Sequence, residues 1–234
     1  MTFQSITYAG HSAFFIDTDS IKIAIDPWLE GNPVCPDELK NPASLDLIIL
    51  THGHADHASD ASRLAKATGA KIAATYELAM IMTKEGVAQD KIIPMNKGGS
   101  VTVEDITVSL THAHHSSSYD TADSTLYAGE ACGVVISDGS TKIYHAGDTA
   151  LFMDMQLIKE QYQPSIAILP IGDHFTMGQK EAAKAAKIIG AKTNIPMHYK
   201  TFELLEQNAD EFKKECTGYN LEVAEIEIGA SLSL

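Results

Sequence analysis

The sequence predicts an α/β fold of two similar halves sharing one domain, residues 1–234. Three observations predict it. Strand-like and helix-like patterns alternate in the order β-rich, α/β, β-rich, α/β, which suggests a repeated plan although no exact repeat is present. No Gly/Ser-rich or low-complexity linker separates the halves. Finally, 44% of the 234 residues are apolar, enough for a substantial common core.

The elements follow in order. "FQSITYAG", "SAFFIDT" and "IKIAID" are short β-prone segments parted by Gly, Asp and Ser turns. "PWLEGNPVCPDELKNP" carries four prolines and reads as a loop with Trp28 and Leu29 as anchors. "LDLIIL" is a continuous apolar run that suits a strand buried on both faces. "SDASRLAKATGA" reads as a helix with Ser59 or Asp60 as N-cap and Gly69 as the left-handed terminator. "KIAATY" returns to strand, and "ELAMIMTKEG" forms a helix ending at Gly86. From Val87 to His145 the pattern is mostly β, with "CGVVISDGSTKIYHAG" a hairpin around Asp138–Gly139. Strand "SIAILPIG" leads through "DHFTMG" into helix "QKEAAKAAKIIG", where Thr176 and Gln179 fit a capping box. Strand "TNIPMHY", helix "FELLEQNADEFKKEC" and strand "NLEVAEIEIG" close the chain.

Net charge is −14, from 17 basic and 31 acidic side chains, and the lysines are scattered. Such a surface repels nucleic acid and anionic membrane, so neither is expected as a partner. Cys35, Cys132 and Cys216 are far apart and form no CxxC pair, which argues against a disulfide framework. Cys132, in "ACGVVIS", reads as an apolar strand residue. The N-terminus lacks signal-peptide features and no apolar run is long enough to span a bilayer, so a cytoplasmic location is expected.

The chemistry concentrates in "THGHADH", residues 51–57. His52 and His54 stand two apart at a strand end and can point the same way. Gly53 between them permits tight backbone geometry. Asp56 and His57 lie past the bend, at the entry to the next helix, and face a second point. Two adjacent ions, each taking a pair, fit this spacing better than one tetrahedral ion. Later strand ends offer His112, His114 and His115 in "THAHHSSS", Asp148 in "YHAGDT" and His198 in "IPMHYK".

"THGHADH" resembles the HxHxDH signature of the metallo-β-lactamase superfamily. The resemblance implies a four-layer αββα sandwich of two pseudo-symmetric halves. It also implies a first metal on His52, His54 and a third His, and a second on Asp56, His57 and His198, with Asp148 spanning both. His115 is the third His by this resemblance, because it directly precedes the Ser-rich loop; His112 and His114 are the alternatives. "YAGHSAFFI", "IDPWLEGNP", "YHAGDTALFMDM" and "LPIGDHFTMG" are similar to small bacterial and archaeal metal-dependent hydrolases related to ascorbate-6-phosphate lactonase. His174 stands where those relatives more often carry Asn.

The expected activity is hydrolysis of a small ester, lactone, amide or phosphoester by a hydroxide bridging two divalent ions. Asp56 and Asp148 are the candidate catalytic carboxylates, with His145 and His174 beside them. His11, Asp26 and Asp173 are candidates for second-sphere hydrogen bonding or substrate contact. Zinc is the expected metal; manganese, iron, cobalt and nickel suit the same donors. The substrate is a small molecule, and a homo-oligomer is left open. Two rival readings are an RNA-processing nuclease and a di-iron redox protein of the same fold. The acidic charge and the lack of a long RNA-gripping insertion oppose the first; His at position 54, in place of the Glu of HxExD, opposes the second.

Overall fold

The computed structural model describes residues 2–234. In chain order the elements are β1 (Phe3–Gly10), β2 (Ala13–Thr18), β3 (Lys22–Ile25), β4 (Leu47–Ile49), α1 (Ala55–Ala58), α2 (Ala61–Thr68), β5 (Lys71–Thr75), α3 (Tyr76–Lys84) and β6 (Ile92–Met95). Then come β7 (Ser100–Val103), β8 (Ile106–His112), β9 (Ser118–Asp120), β10 (Thr125–Tyr127), β11 (Cys132–Ser137), β12 (Lys142–His145) and α4 (Met155–Tyr162). The chain ends with β13 (Ile166–Pro170), α5 (Gln179–Ile189), β14 (Thr193–Met197), α6 (Asp210–Gly218), β15 (Glu222–Val223) and β16 (Ser231–Ser233).

Two seven-stranded sheets result, in the orders β16-β1-β2-β3-β4-β5-β6 and β15-β14-β13-β12-β11-β8-β7, with β9 and β10 as a small separate hairpin. Both sheets are built alike. In the first, the pairs from β16 to β3 are antiparallel and those from β3 to β6 parallel. In the second, the pairs from β7 to β12 are antiparallel and those from β12 to β15 parallel. The two-halves expectation therefore appears as a repeated strand plan.

Strand periodicity decides which side chains enter which layer. Ile23, Ile25, Leu47 and Ile49 join the core that reaches the second sheet, together with Val108, Val134, Ile168 and Ile195. The intervening Ala24, Ile48 and Leu50 pack the other way, with Leu64, Ala65 and Leu78 of α2 and α3. On the far side, Ile158, Ala182 and Phe212 of α4, α5 and α6 close the same large core. The order is helix, sheet, sheet, helix. Each fully buried Leu or Ile contributes about 1.5–3 kcal/mol to holding these layers together. Among the described residues, no helix is long and apolar enough to cross a membrane.

Several local expectations are met. Gly69 terminates α2 at φ 78°, the left-handed conformation that costs Gly little. β11 and β12 form the hairpin around Asp138–Gly139, with Ser137 opposite Lys142. Others are corrected. Neither Thr176 nor Gln179 caps α5: Gly178 holds the N-cap position without a side-chain bond, and Gln179 Oε1 accepts the Phe212 N–H at 2.9 Å. The last helix starts at Asp210 rather than Phe202, because Gln207 Nε2 donates to the Phe202 and Leu205 carbonyls and holds a loop there. The closing strand shrinks to Glu222–Val223, and Ser231–Ser233 crosses to pair with β1.

Candidate metal centre

Most candidate ligands follow a strand, and Asp56 and His57 lie on the short helix α1 just beyond one. His52 and His54 come just after β4, His115 after β8, Asp148 after β12 and His198 after β14. Carboxyl ends of strands are where open α/β sheets expose converging backbone and side chains. Three residues mark the same rim by their backbone: His198 itself at φ 58°, His11 at φ 60° and Asp26 at φ 46°. Non-glycine residues in this left-handed region cost of order 1 kcal/mol or more each, and such strain clusters at functional sites.

Asp148 is the hub. Its Oδ2 lies 3.1 Å from His198 Nε2, 3.3 Å from His57 Nε2, 3.6 Å from His115 Nε2 and 4.0 Å from His52 Nε2. Asp56 Oδ2 lies 4.0 Å from His198 Nε2, and His52 Nε2 is 3.0 Å from His54 Nδ1. Donor atoms around a tetrahedral ion with bonds of about 2.0–2.1 Å stand about 3.4 Å apart, so these separations suit ligands of shared cations. His52, His54 and His115 form one compact group; Asp56, His57 and His198, joined by His11, form a second.

Proton accounting sharpens the fit. Asp26 Oδ2 can only accept, so it takes the Thr51 hydroxyl proton at 2.6 Å and the His57 Nδ1 proton at 2.8 Å, while Oδ1 takes the Thr51 N–H at 2.8 Å. The Thr51 oxygen must then accept from His52 Nδ1 at 3.0 Å. That leaves His52 Nε2 as a lone pair aimed into the cluster. Buried His57 Nε2, His198 Nδ1 and Nε2, and Asp148 Oδ1 have no hydrogen-bond partner. Orphaned buried polar atoms are costly, and a bound cation satisfies such donors. The residues fit a histidine and carboxylate metal site without thiolate, since Cys35, Cys132 and Cys216 are buried and free.

The charges agree. Burial disfavours charge on His57, but Asp148 and Asp26 on either side hold its pKa well above the ordinary histidine value. Burial likewise works to raise Asp148, yet the charges of His198 and His57 beside it hold it well below the carboxylate range. Burial keeps His52, His54 and His115 below the usual histidine range, so their ring nitrogens are free to ligate. His11 is pushed down to about 4, first by burial and then by His198. Burial works against the Asp56 carboxylate, and the bond from His11 together with the charges of His57 and His11 outweighs it and lowers its pKa. Neutral His11 therefore donates Nε2–H to Asp56 at 3.0 Å and accepts from Thr201 at 2.9 Å.

The remaining candidates fall outside the cluster. His145 is buried with both nitrogens engaged: Nε2 donates to the Ser12 carbonyl at 3.1 Å and Nδ1 accepts from Gly147 N–H at 3.2 Å. It thereby fixes the loop that carries Asp148. His174 is exposed, edge-on to Phe175, with Asp173 exposed beside it. Both adopt positive φ in the loop that Gly172 sets against the His198 carbonyl. His112 bonds Lys97 and His114 stacks on Phe152, so of the three adjacent histidines only His115 reaches Asp148. Sequence spacing does not single out Thr51 or Thr201, which orient His52 and His11.

Comparison with known proteins agrees with this architecture. Residues 22–199 match the beta-lactamase superfamily domain. A UPF0173 metal-dependent hydrolase of Methanopyrus kandleri is 44% identical over 231 residues, covering 97% of this chain and 98% of the relative. Its counterpart in Roseiflexus castenholzii is 42% identical over 236 residues, 98% and 97% of the two chains. The solved structure of Igni18, a metallo hydrolase of Ignicoccus hospitalis, aligns at TM-score 0.88 with 37% identity, covering 100% of this chain and 99% of that one.

Proposed function

This chain belongs to the beta-lactamase superfamily as a metal-dependent hydrolase, and from that premise we propose a two-ion centre that hydrolyses a small ester, lactone, amide or phosphoester. His52, His54 and His115 would hold one ion, Asp56, His57 and His198 the other, and Asp148 both. The observation that carries the reading is the Asp148 carboxylate, within 4.0 Å of four histidine Nε2 atoms while its second oxygen is unpartnered. Divalent ions bound there, with zinc first among them, supply Lewis acidity and lower the pKa of water from 15.7 to about 7.

The protein's own part is positioning. Asp26 holds His57 and, through Thr51, His52 in the tautomers that aim Nε2 inward. His11 fixes Asp56, and His145 fixes the Asp148 loop. Asp56 is partly open to solvent while Asp148 is buried, so Asp56 is the carboxylate placed to take a proton from an incoming substrate or water. The net charge of −14 favours a small substrate over a polyanion. The purified protein should carry about two ions per chain by elemental analysis, and Asp148→Ala should lose both metal and turnover. Equal activity after complete chelation would overturn the reading.

A further inference from the structure

Trp28 and Phe202 stand at the Asp56 edge of the metal centre and are not used by the chemistry above. The Trp28 ring lies 5.3 Å from the His11 ring and the Phe202 ring 5.6 Å from it, and the two aromatics lie 5.8 Å apart at 34°. His11 in turn holds Asp56. Phe202 is 37% exposed and Trp28 is partly exposed, so both present apolar surface next to the most open ligand of the second group.

The backbone carrying each ring is held in place. The Trp28 backbone N–H donates to the Asp26 carbonyl at 2.7 Å, and Asn32 Nδ2 bridges the Trp28 and Gly10 carbonyls at 3.2 Å each. Gln207 Nε2 holds the Phe202 carbonyl at 2.8 Å, and neighbouring Thr201 is tied to His11. A pre-positioned aromatic pair beside a polar centre gains contact area with little ordering cost.

Charge says what the pair would exclude. The chain's one arginine, Arg63, is engaged by Asp60, Glu30 and Asn41, away from the centre. Lys200, two residues beyond His198, turns to Glu225, and Lys97 pairs with Glu130. Besides metal ions, phosphate-specific sites rely on such side-chain cations, and here these are committed to carboxylates.

We propose that Trp28 and Phe202 form the wall that selects substrate, accepting an uncharged apolar or aromatic group attached to the scissile carbonyl compound. The inference rests on the hydrolytic reading and narrows it to neutral esters and amides, away from phosphomonoesters. A suitable pair of substrates is benzyl acetate and methyl acetate, which leave as alcohols of similar reactivity and differ in the ring.

The test measures kcat and KM of the metal-loaded enzyme on both esters and on phenyl phosphate. The benzyl ester should be favoured about tenfold in kcat/KM, equivalent to about 1.4 kcal/mol. In Phe202→Ala that preference should collapse through KM, and Phe202→Tyr should restore it. Equal kcat/KM on the two esters, an undiminished preference in Phe202→Ala, or a preference for phenyl phosphate would each overturn the proposal. A second readout does not need turnover. Trp28 is the chain's only tryptophan, so its emission reports on this wall alone. Titration with benzyl alcohol should shift the emission saturably in the wild type and not in Phe202→Ala. If neither ester is hydrolysed, this titration decides the wall by itself, and no shift overturns it; the hydrolytic reading is tested separately by the metal content and chelation measurements above.

Discussion

Asp26→Asn isolates the effect of a single buried oxygen. Asp26 is wholly buried and sits at φ 46°, a conformation asparagine tolerates as readily as aspartate, so the backbone should hold. Oδ1 can still accept the Thr51 N–H. The amide nitrogen that replaces Oδ2, however, meets His57 Nδ1–H donor against donor, at the position of the present 2.8 Å bond. His57 can relieve this by moving its proton to Nε2, which removes the lone pair facing Asp148. A hydrogen bond to a charged group is worth about 1.5–3 kcal/mol. Losing it from a ligand-orienting partner typically weakens metal binding about 10–100-fold, or about 1.4–2.8 kcal/mol. Competition against a calibrated chelator should therefore show the ion assigned to His57 bound that much more weakly, and the ion assigned to His52 weakened as well, because the Thr51 hydroxyl loses the same acceptor oxygen. Nitrogen-edge NMR of His57 should report the switched tautomer. Unaltered affinity at both positions would refute the tautomer reasoning.

Gly172→Ala should be severe: its Cβ would fall 2.0 Å from the His198 carbonyl oxygen, a contact only backbone movement relieves. A loss of about 3 kcal/mol by urea denaturation, with weakened metal binding, is expected; a neutral result would show that the loop yields freely. Acid should also destabilise the metal-free protein. His11, His52, His54, His115 and His145 all have lowered folded pKa values, so their contribution is complete above the ordinary value near 6.5 and is lost as pH falls below it. His57, raised, opposes this alone among the ligands, since its stabilisation is full below 6.5 and is lost as pH rises through its folded pKa. The urea midpoint of chelated protein should be lower at pH 5 than at pH 7.5, and a higher one at pH 5 would contradict these environments.

Much of this was legible in the sequence where local pattern and burial coincide. "LDLIIL" and "SIAILPIG" read as buried strands because apolar side chains fill both faces, and β4 and β13 are fully buried. Helix α4 was not legible: only Met155 and Ile158 of its eight residues are buried, too few to show a helical stripe. The final strand was illegible for another reason, because β16 finds its partner in β1, at the opposite end of the chain. In the site, "THGHADH" marked candidate ligands by residue type and spacing, and the structure brings their side chains together. The positioning roles of Asp26, Thr51 and His11 depend on β1, β3 and β4 ending at the same rim, and only the assembled sheet shows that.

The repeated strand plan explains how one rim gathers so many ligands. Counting from β1 and β8, the first, third, fourth and fifth strands of the first sheet (β1, β3, β4 and β5) occupy the places of β8, β12, β13 and β14 in the second. A carboxylate follows the third member in each half: Asp26 after β3 and Asp148 after β12. One has become the hub and the other the anchor of His57, at 3.3 Å and 2.8 Å from opposite nitrogens of the same ring. The fourth members diverge. β4 leads into the ligand-bearing "HGHADH", whereas β13 leads into "GDHFTMG", whose Asp173 and His174 face solvent. The fifth members reverse that imbalance, with His198 after β14 where β5 is followed directly by α3. Each half alone thus offers an incomplete ligand set. His57 of the first half takes its tautomer from Asp26 in that same half and meets its counter-charge in Asp148 of the second, so the candidate centre forms only where the two sheets meet.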